Sequence, residues 1–168
     1  MSGTIRILGL DPGLSLMGWG VIDVTGSRLA HVAHGVIATR PALGLAFRLM
    51  ALHRELSAVI AEHGPAAIAG EQAFVAREPS AALKLGHARA VALLAGAEAG
   101  LDIAEYAPNN IKKCVVGAGH AAKEQVQFMV ARLLPTARVT QADAADALAA
   151  AIAHAHLAAA RPLNVVAR

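Results

Sequence analysis

The sequence predicts an α/β domain with a mixed five-stranded sheet and helices on both faces. Three observations predict it. Three strand-like apolar segments follow one another before residue 40 with no helical stretch between them, the pattern of a meander. Two later strands are each reached through a helix, which implies crossover connections and parallel pairing. Hydrophobic residues make up 56% of the chain but aromatics only 3%, so its many alanines and glycines let helices pack closely on what lies beneath them.

Ile5–Leu10 is nearly continuous aliphatic and reads as a buried strand. Pro12 biases Asp11 towards extended backbone, so that strand runs out to a carboxylate. Gly18–Val24 and Leu29–Thr39 are the next two strands, joined by the turn Thr25-Gly26-Ser27. Leu43–His63 carries apolar residues at 45, 49, 52, 56, 59 and 60, a helical stripe that Gly64-Pro65 ends. Ala66–Gly70 is a short buried strand ending at Glu71, so the chain repeats its first device of an apolar strand followed by an acid. The stretch 72–79 is a loop holding Phe74 and Arg77, and Ser80 is placed to cap a helix running to about Gly100. Asp102–Tyr106 is the fifth strand. Helices follow at Pro108–Val115, Ala121–Leu134 and Gln141–Ala160, the last dominated by alanine. Residues 1–160 therefore read as one unit, with 161–168 a flexible tail.

Bulk properties exclude several classes. No apolar run approaches a membrane span, and Asp11 interrupts the first apolar run before a secretory h-region forms. The single cysteine, Cys114, excludes an internal disulfide and a cysteine zinc cluster. The expectation is a cytoplasmic protein with no membrane partner. Net charge is only +3, but basic residues gather between Arg77 and Lys123: Arg77, Lys84, Arg89, Lys112, Lys113 and Lys123, with His87 and His120. Such a patch suits a polyanion, although ordinary solvated helix charge gives the same count.

The acids carry the chemistry. If the first and fourth strands are parallel neighbours, Asp11 and Glu71 lie side by side at one end of the sheet. Asp143 and Asp146 are three apart on a helix and share a face. They sit in its first turn, where the dipole favours acids, so plain helix stabilisation competes with a functional reading. Four carboxylates brought together need cations, and Mg²⁺ takes oxygen ligands while keeping water for substrate. A two-metal site suits in-line phosphoryl transfer. Other signals are weaker. Gly117–Glu124 lacks the lysine-serine/threonine group of a phosphate loop. His154 lies too far along its helix to join the acids, and Cys114 reads as a small core residue.

With these residues in view, the chain resembles the RuvC family of crossover-junction endodeoxyribonucleases. The segments that carry the resemblance are Leu8-Gly9-Leu10-Asp11-Pro12-Gly13 with Gly18-Trp19-Gly20, Glu71-Gln72-Ala73-Phe74, residues 82–89, 115–119 and 141–148. The resemblance implies a ribonuclease-H-like fold, a homodimer, and resolution of four-way (Holliday) DNA junctions by symmetric paired nicks. It implies Mg²⁺, two ions per site with Mn²⁺ as a substitute, and the RuvA–RuvB branch-migration complex as a partner. Carried over residue by residue, it assigns catalysis and metal binding to Asp11, Glu71, Asp143 and Asp146. It places Phe74 at the junction crossover, where an exposed ring can stack in place of a base, and Lys112 and Lys123 near the scissile strand. Arg77, Lys84 and Arg89 of the basic patch complete the expected DNA contacts.

The chain departs from the family pattern at Glu78, His87, Ala90 and His120, none of them in the quartet. Glu78 in particular would oppose a phosphate. Competing readings are another ribonuclease-H-like nuclease cutting RNA–DNA hybrids or other branched DNA, and a catalytically silent junction-binding protein. The second does not need four acids.

Overall fold

The computed structural model describes residues 3–72 and 78–160, residues 159 and 160 by their backbone alone. Phe74, Arg77 and the expected tail 161–168 lie outside the described residues. In chain order the elements are β1 (Ile5–Asp11), β2 (Leu16–Thr25), β3 (Arg28–Ala38), α1 (Leu45–His63), β4 (Ala67–Glu71), α2 (Pro79–Glu98), β5 (Asp102–Tyr106), α3 (Pro108–Val116), α4 (Lys123–Leu133) and α5 (Ala142–Ala160). The sheet order is β3-β2-β1-β4-β5. The first three strands pair antiparallel, while β1 with β4 and β4 with β5 pair parallel. The expected parallel neighbours are therefore present, with Leu10 opposite Gly70. Among the described residues no helix is long and apolar enough to cross a membrane.

Alternation along the strands divides the interior into two cores. Ile7, Ile22 and Ala69 point to one face and pack under α5, α3 and α4. Leu8, Leu10, Met17, Val21 and Ile68 point to the other, against α1 and α2. Glycine decides how close α5 can come. A Cβ on Gly9 would collide with the Ala147 carbonyl, one on Gly18 with the Asp143 backbone, and one on Gly20 with Leu148. Eight alanines of α5, from Ala144 to Ala155, are buried on this face. The helix thus lies on β1 and β2 almost backbone to backbone.

Two helix starts and one connector differ from expectation. Pro79, not Ser80, opens α2: Glu78 takes the N-cap position, and the Ser80 hydroxyl donates to its carboxylate at 2.8 Å. Proline suits the first helical position because it has no N–H to leave unpaired. Helix α4 begins at Lys123 rather than at residue 121, after Ala122, whose N–H donates to the Gln125 side chain at 2.8 Å. Gly117 serves the preceding helix, closing α3 at φ 90° with its N–H on the Lys113 carbonyl. Gly117 in the glycine connector is therefore a helix stop. The small residues of α2 divide: Gly96 receives Ile68 and Ile103 of the sheet, whereas Gly86 faces open space.

Candidate active site

Strand parity places the first two acids. Asp11 follows Ile7 and Gly9 at two-residue steps, and Glu71 follows Ala69, so both belong to the face covered by α5. Both end their strands, and parallel pairing puts those ends together. Gly18, opposite Asp11 in the ladder, is also the residue on which the Asp143 backbone rests. The missing side chain there lets the first turn of α5 settle beside the end of β1. Asp143 and Asp146 are half-buried, one helical turn apart, between buried alanines.

The four acids share one electrostatic site. Burial, then Asp146, Glu71 and Asp143 in that order, push the Asp11 carboxyl up to about 7, with Lys123 opposing. Glu71 sits on the exposed rim, yet surrounding protein and Asp146 raise it too, against Lys112 and Lys123. Lys123 Nζ lies 2.8 Å from Asp146 Oδ2. Its own pKa is raised, first by that hydrogen bond and then by the charges of Asp146, Asp11 and Asp143. A lysine at the first position of a helix is unfavourable for the dipole; here the quartet supplies the compensating charge.

The donor set fits a hard divalent cation: four carboxylates, no thiolate or imidazole among them, and excess negative charge that one lysine leaves uncancelled. Among the described residues, no three His, Cys, Asp or Glu side chains are gathered tightly enough to form a finished cage. The site is an open cluster at the sheet end, suited to a metal that keeps water and substrate oxygens in its shell.

The other expected contacts fall in different places. Lys112, on α3, is half-buried and acts on Glu71, while Lys84, on α2, is exposed. Arg89 is partly exposed, at 38% of its side chain. Its guanidinium grips Glu105 of β5, with Nε at 2.5 Å and Nη2 at 2.6 Å, on the α2 side of the sheet. A bidentate pair of this kind offsets the charge and braces α2 against the sheet edge. His154 is held by Tyr106, whose hydroxyl is 2.7 Å from its Nδ1. Burial lowers the His154 pKa, so the ring is neutral, a structural role as expected. Tyr106 lies opposite Glu71 in the β4–β5 register, and its carbonyl accepts the Gln72 N–H at 2.8 Å. Sequence reasoning missed this support behind Glu71, because it depends on register.

Comparison with known proteins converges on one family. The family model described as crossover junction endodeoxyribonuclease RuvC matches residues 7–154. A protein of that name from Parvibaculum lavamentivorans is 58% identical over 156 residues, covering 93% of this chain and 89% of its own. One from Paracoccus denitrificans is 55% identical over 161 residues, covering 96% and 98%. Among solved structures, Thermus thermophilus RuvC in complex with a Holliday junction substrate superimposes with a TM-score of 0.88 at 34% identity, covering 93% of this chain and 96% of that one.

Proposed function

Since this chain belongs to the RuvC family of crossover junction endodeoxyribonucleases, we propose that its Holliday-junction-resolving activity is carried by Asp11, Glu71, Asp143 and Asp146 holding a pair of Mg²⁺ ions. The observation that carries this reading is the convergence of four acids from three elements, with Asp11 driven to about 7. Burial is the largest cause of that rise and the three neighbouring acids add to it, so an ionised Asp11 is disfavoured at this cluster without a cation. Bound divalent ions supply an activated water and neutralise charge on the scissile phosphate and the leaving oxygen.

The chain's own residues do the rest. Asp11 and Glu71 present oxygens from the rigid strand ends, and Asp143 and Asp146 present theirs from the helix above. Lys123 is bonded to Asp146 and is well placed to meet a phosphate oxygen at the same cluster. Lys112 lies on the Glu71 side. Phe74, Arg77 and Lys84 belong to the segment after Glu71 and the start of α2, and take the junction arms and crossover. Arg89 reaches the same DNA in competition with Glu105.

Symmetric nicking requires two such sites. Phe47 and Met50 of α1 and Leu83 and Leu94 of α2 are large apolar side chains more than half exposed, and α1 and α2 pack together on the face opposite the acids. A second copy would cover them, which supports the homodimer. Mn²⁺ as a substitute metal, the RuvA–RuvB complex as partner and a cytoplasmic setting follow from the family reading, with residues 1–160 as one nuclease unit.

The test is a synthetic mobile four-way junction incubated with and without Mg²⁺, with cuts mapped on all four strands. Paired nicks at symmetric positions in two strands of like polarity, dependent on the metal, are expected. Undiminished cutting in a chelator, or equal cutting of an RNA–DNA hybrid, would overturn the reading.

A further inference from the structure

We infer that Thr39 and Arg48 are positioning residues for the reaction, clamping the turn that follows Asp11 so that its carboxylate stays at the sheet end. After β1 the chain turns through Pro12, Gly13, Leu14 and Ser15 into β2. The turn is tight: a Cβ on Gly13 would collide with the Leu16 carbonyl. Thr39, immediately after β3, is the one buried polar residue among the described residues, 8% exposed. Its N–H donates to the Ser15 carbonyl at 2.9 Å, and its hydroxyl donates to the Leu14 carbonyl at 2.6 Å. That hydroxyl also accepts from Arg48 Nε at 2.9 Å, while Arg48 Nη2 donates to the Ser15 hydroxyl at 2.9 Å. Three successive bonds to two turn residues thus come from β3 and α1, elements that hold no member of the quartet.

The arrangement has a physical purpose. Asp11 pairs with Gly18 at the last rung of the β1–β2 ladder, and ladder ends fray unless something holds them. The other acids gather at this rung, Glu71 at the end of the parallel neighbour β4 and Asp143 with its backbone against Gly18. The β1–β4 pairs stop at Leu10, so on the far side of Asp11 the turn itself must supply the restraint. Arg48 acts through its hydrogen bonds to the Thr39 and Ser15 hydroxyls. A buried hydroxyl engaged as both donor and acceptor also has a steep replacement cost, as valine would leave the Leu14 carbonyl and the Arg48 Nε–H without their partner.

This inference rests on the proposed role of Asp11, and the experiment separates the two. Single-turnover cleavage of a pre-bound four-way junction is measured for Thr39→Val, Thr39→Ser, Arg48→Gln and Asp11→Asn. Ile60→Val, at the far end of α1, serves as a stability control. Junction affinity without metal, melting temperature and amide exchange at Thr39 are read in parallel. Thr39→Val should cut about tenfold to a hundredfold more slowly, the scale of a small misplacement of a reacting group. It should bind the metal-free junction as wild type does and exchange its residue-39 amide faster. Thr39→Ser should restore the rate, and Arg48→Gln should fall between them. Arg48→Gln also serves if Thr39→Val does not fold. Wild-type cutting by Thr39→Val and Arg48→Gln beside an inactive Asp11→Asn would overturn the clamp and leave the carboxylate reading standing. Normal cutting by Asp11→Asn would remove both. A rate loss matched by Ile60→Val at equal melting temperature would reduce the clamp to general stability and overturn it.

Discussion

The two faces of the sheet are built on opposite principles. Under α5 the contact is glycine and alanine against backbone: Gly9, Gly18 and Gly20 have no room for a Cβ. Under α1 and α2 it is bulky side chains, with Leu8, Leu10, Leu52, Leu56 and Ile68 fully buried. Bulky side chains remove more apolar surface per residue from water, about 0.8 kcal/mol for each CH₂. Small residues give less of that, but they fix distance, because backbones in contact leave little room for sliding. The acids lie on the close-packed face. Positional precision is concentrated where four like charges must be held together, although Ile22, Leu148 and Ile152 are fully buried on that face too.

The largest effects should come from the charges on the first face. Asp11→Asn or Asp146→Asn should lower junction cleavage by on the order of a thousandfold or more, since a carboxylate proposed to hold metal becomes a neutral amide. Junction binding should persist or tighten, because negative charge near phosphate is removed. Asp11→Asn should also raise the melting temperature measured without Mg²⁺, as a repelled, half-buried charge disappears. Full activity in either variant, in a mapped cleavage assay, would end the assignment.

Next come the two kinds of packing. Gly18→Ala places a methyl group in the Asp143 backbone, so the first turn of α5 must shift and carry both of its acids with it. We expect about 1–3 kcal/mol of destabilisation together with a rate loss of about a hundredfold on bound junction. Leu52→Ala, on the opposite face and fully buried, should cost more stability, about 2–5 kcal/mol, and leave the rate on bound junction intact. Denaturant melts paired with single-turnover kinetics check both. The comparison of faces fails if the two variants lose rate in proportion to stability alone.

How much of this was legible in the sequence follows the same division. The order of strands and helices was readable from periodicity, and Asp102–Tyr106 was placed to the residue. The quartet was readable because each acid follows a strand or opens a helix. The close approach of α5 was half-readable: glycines at 9, 18 and 20 alternate in step with Asp11, but only register reveals what rests on them. The Arg89–Glu105 pair was not readable, because a cation's partner can lie across a tertiary contact that spacing does not encode. The Ser80 cap was misjudged because Pro79 competes for the same turn and wins through its fixed φ. Thr39 and Arg48 gave no signal, being ordinary residues whose importance comes from four hydrogen bonds formed only after β3 returns to the β1 turn.

The smallest effect sharpens the comparison most, because it isolates charge from packing. The Asp11 carboxyl is held up at about 7 in the folded protein, whereas in the unfolded chain it titrates near about 4. Between those values the folded state keeps a proton that the unfolded state has lost. Metal-free stability should therefore fall as pH rises from about 4 to about 7 and then level off. The raised Glu71 carboxyl adds to the same slope. Asp23, held down by Arg6, works the other way and at lower pH: its contribution is present above the ordinary carboxylate pKa and is lost in more acid solution. Metal ligation needs ionised acids, so added Mg²⁺ should raise the melting temperature more at pH 8 than at pH 5, with proton release near neutrality. Melting curves at four pH values with and without Mg²⁺ would show it, and Asp11→Asn should flatten most of the metal-free slope. Leu52→Ala should shift every curve down without changing its shape, since the leucine face carries no part of the charge. A metal-free stability that rises through this pH window would mean that the quartet is already neutralised by Lys123 and Lys112, and that the close-packed face holds no excess charge at all.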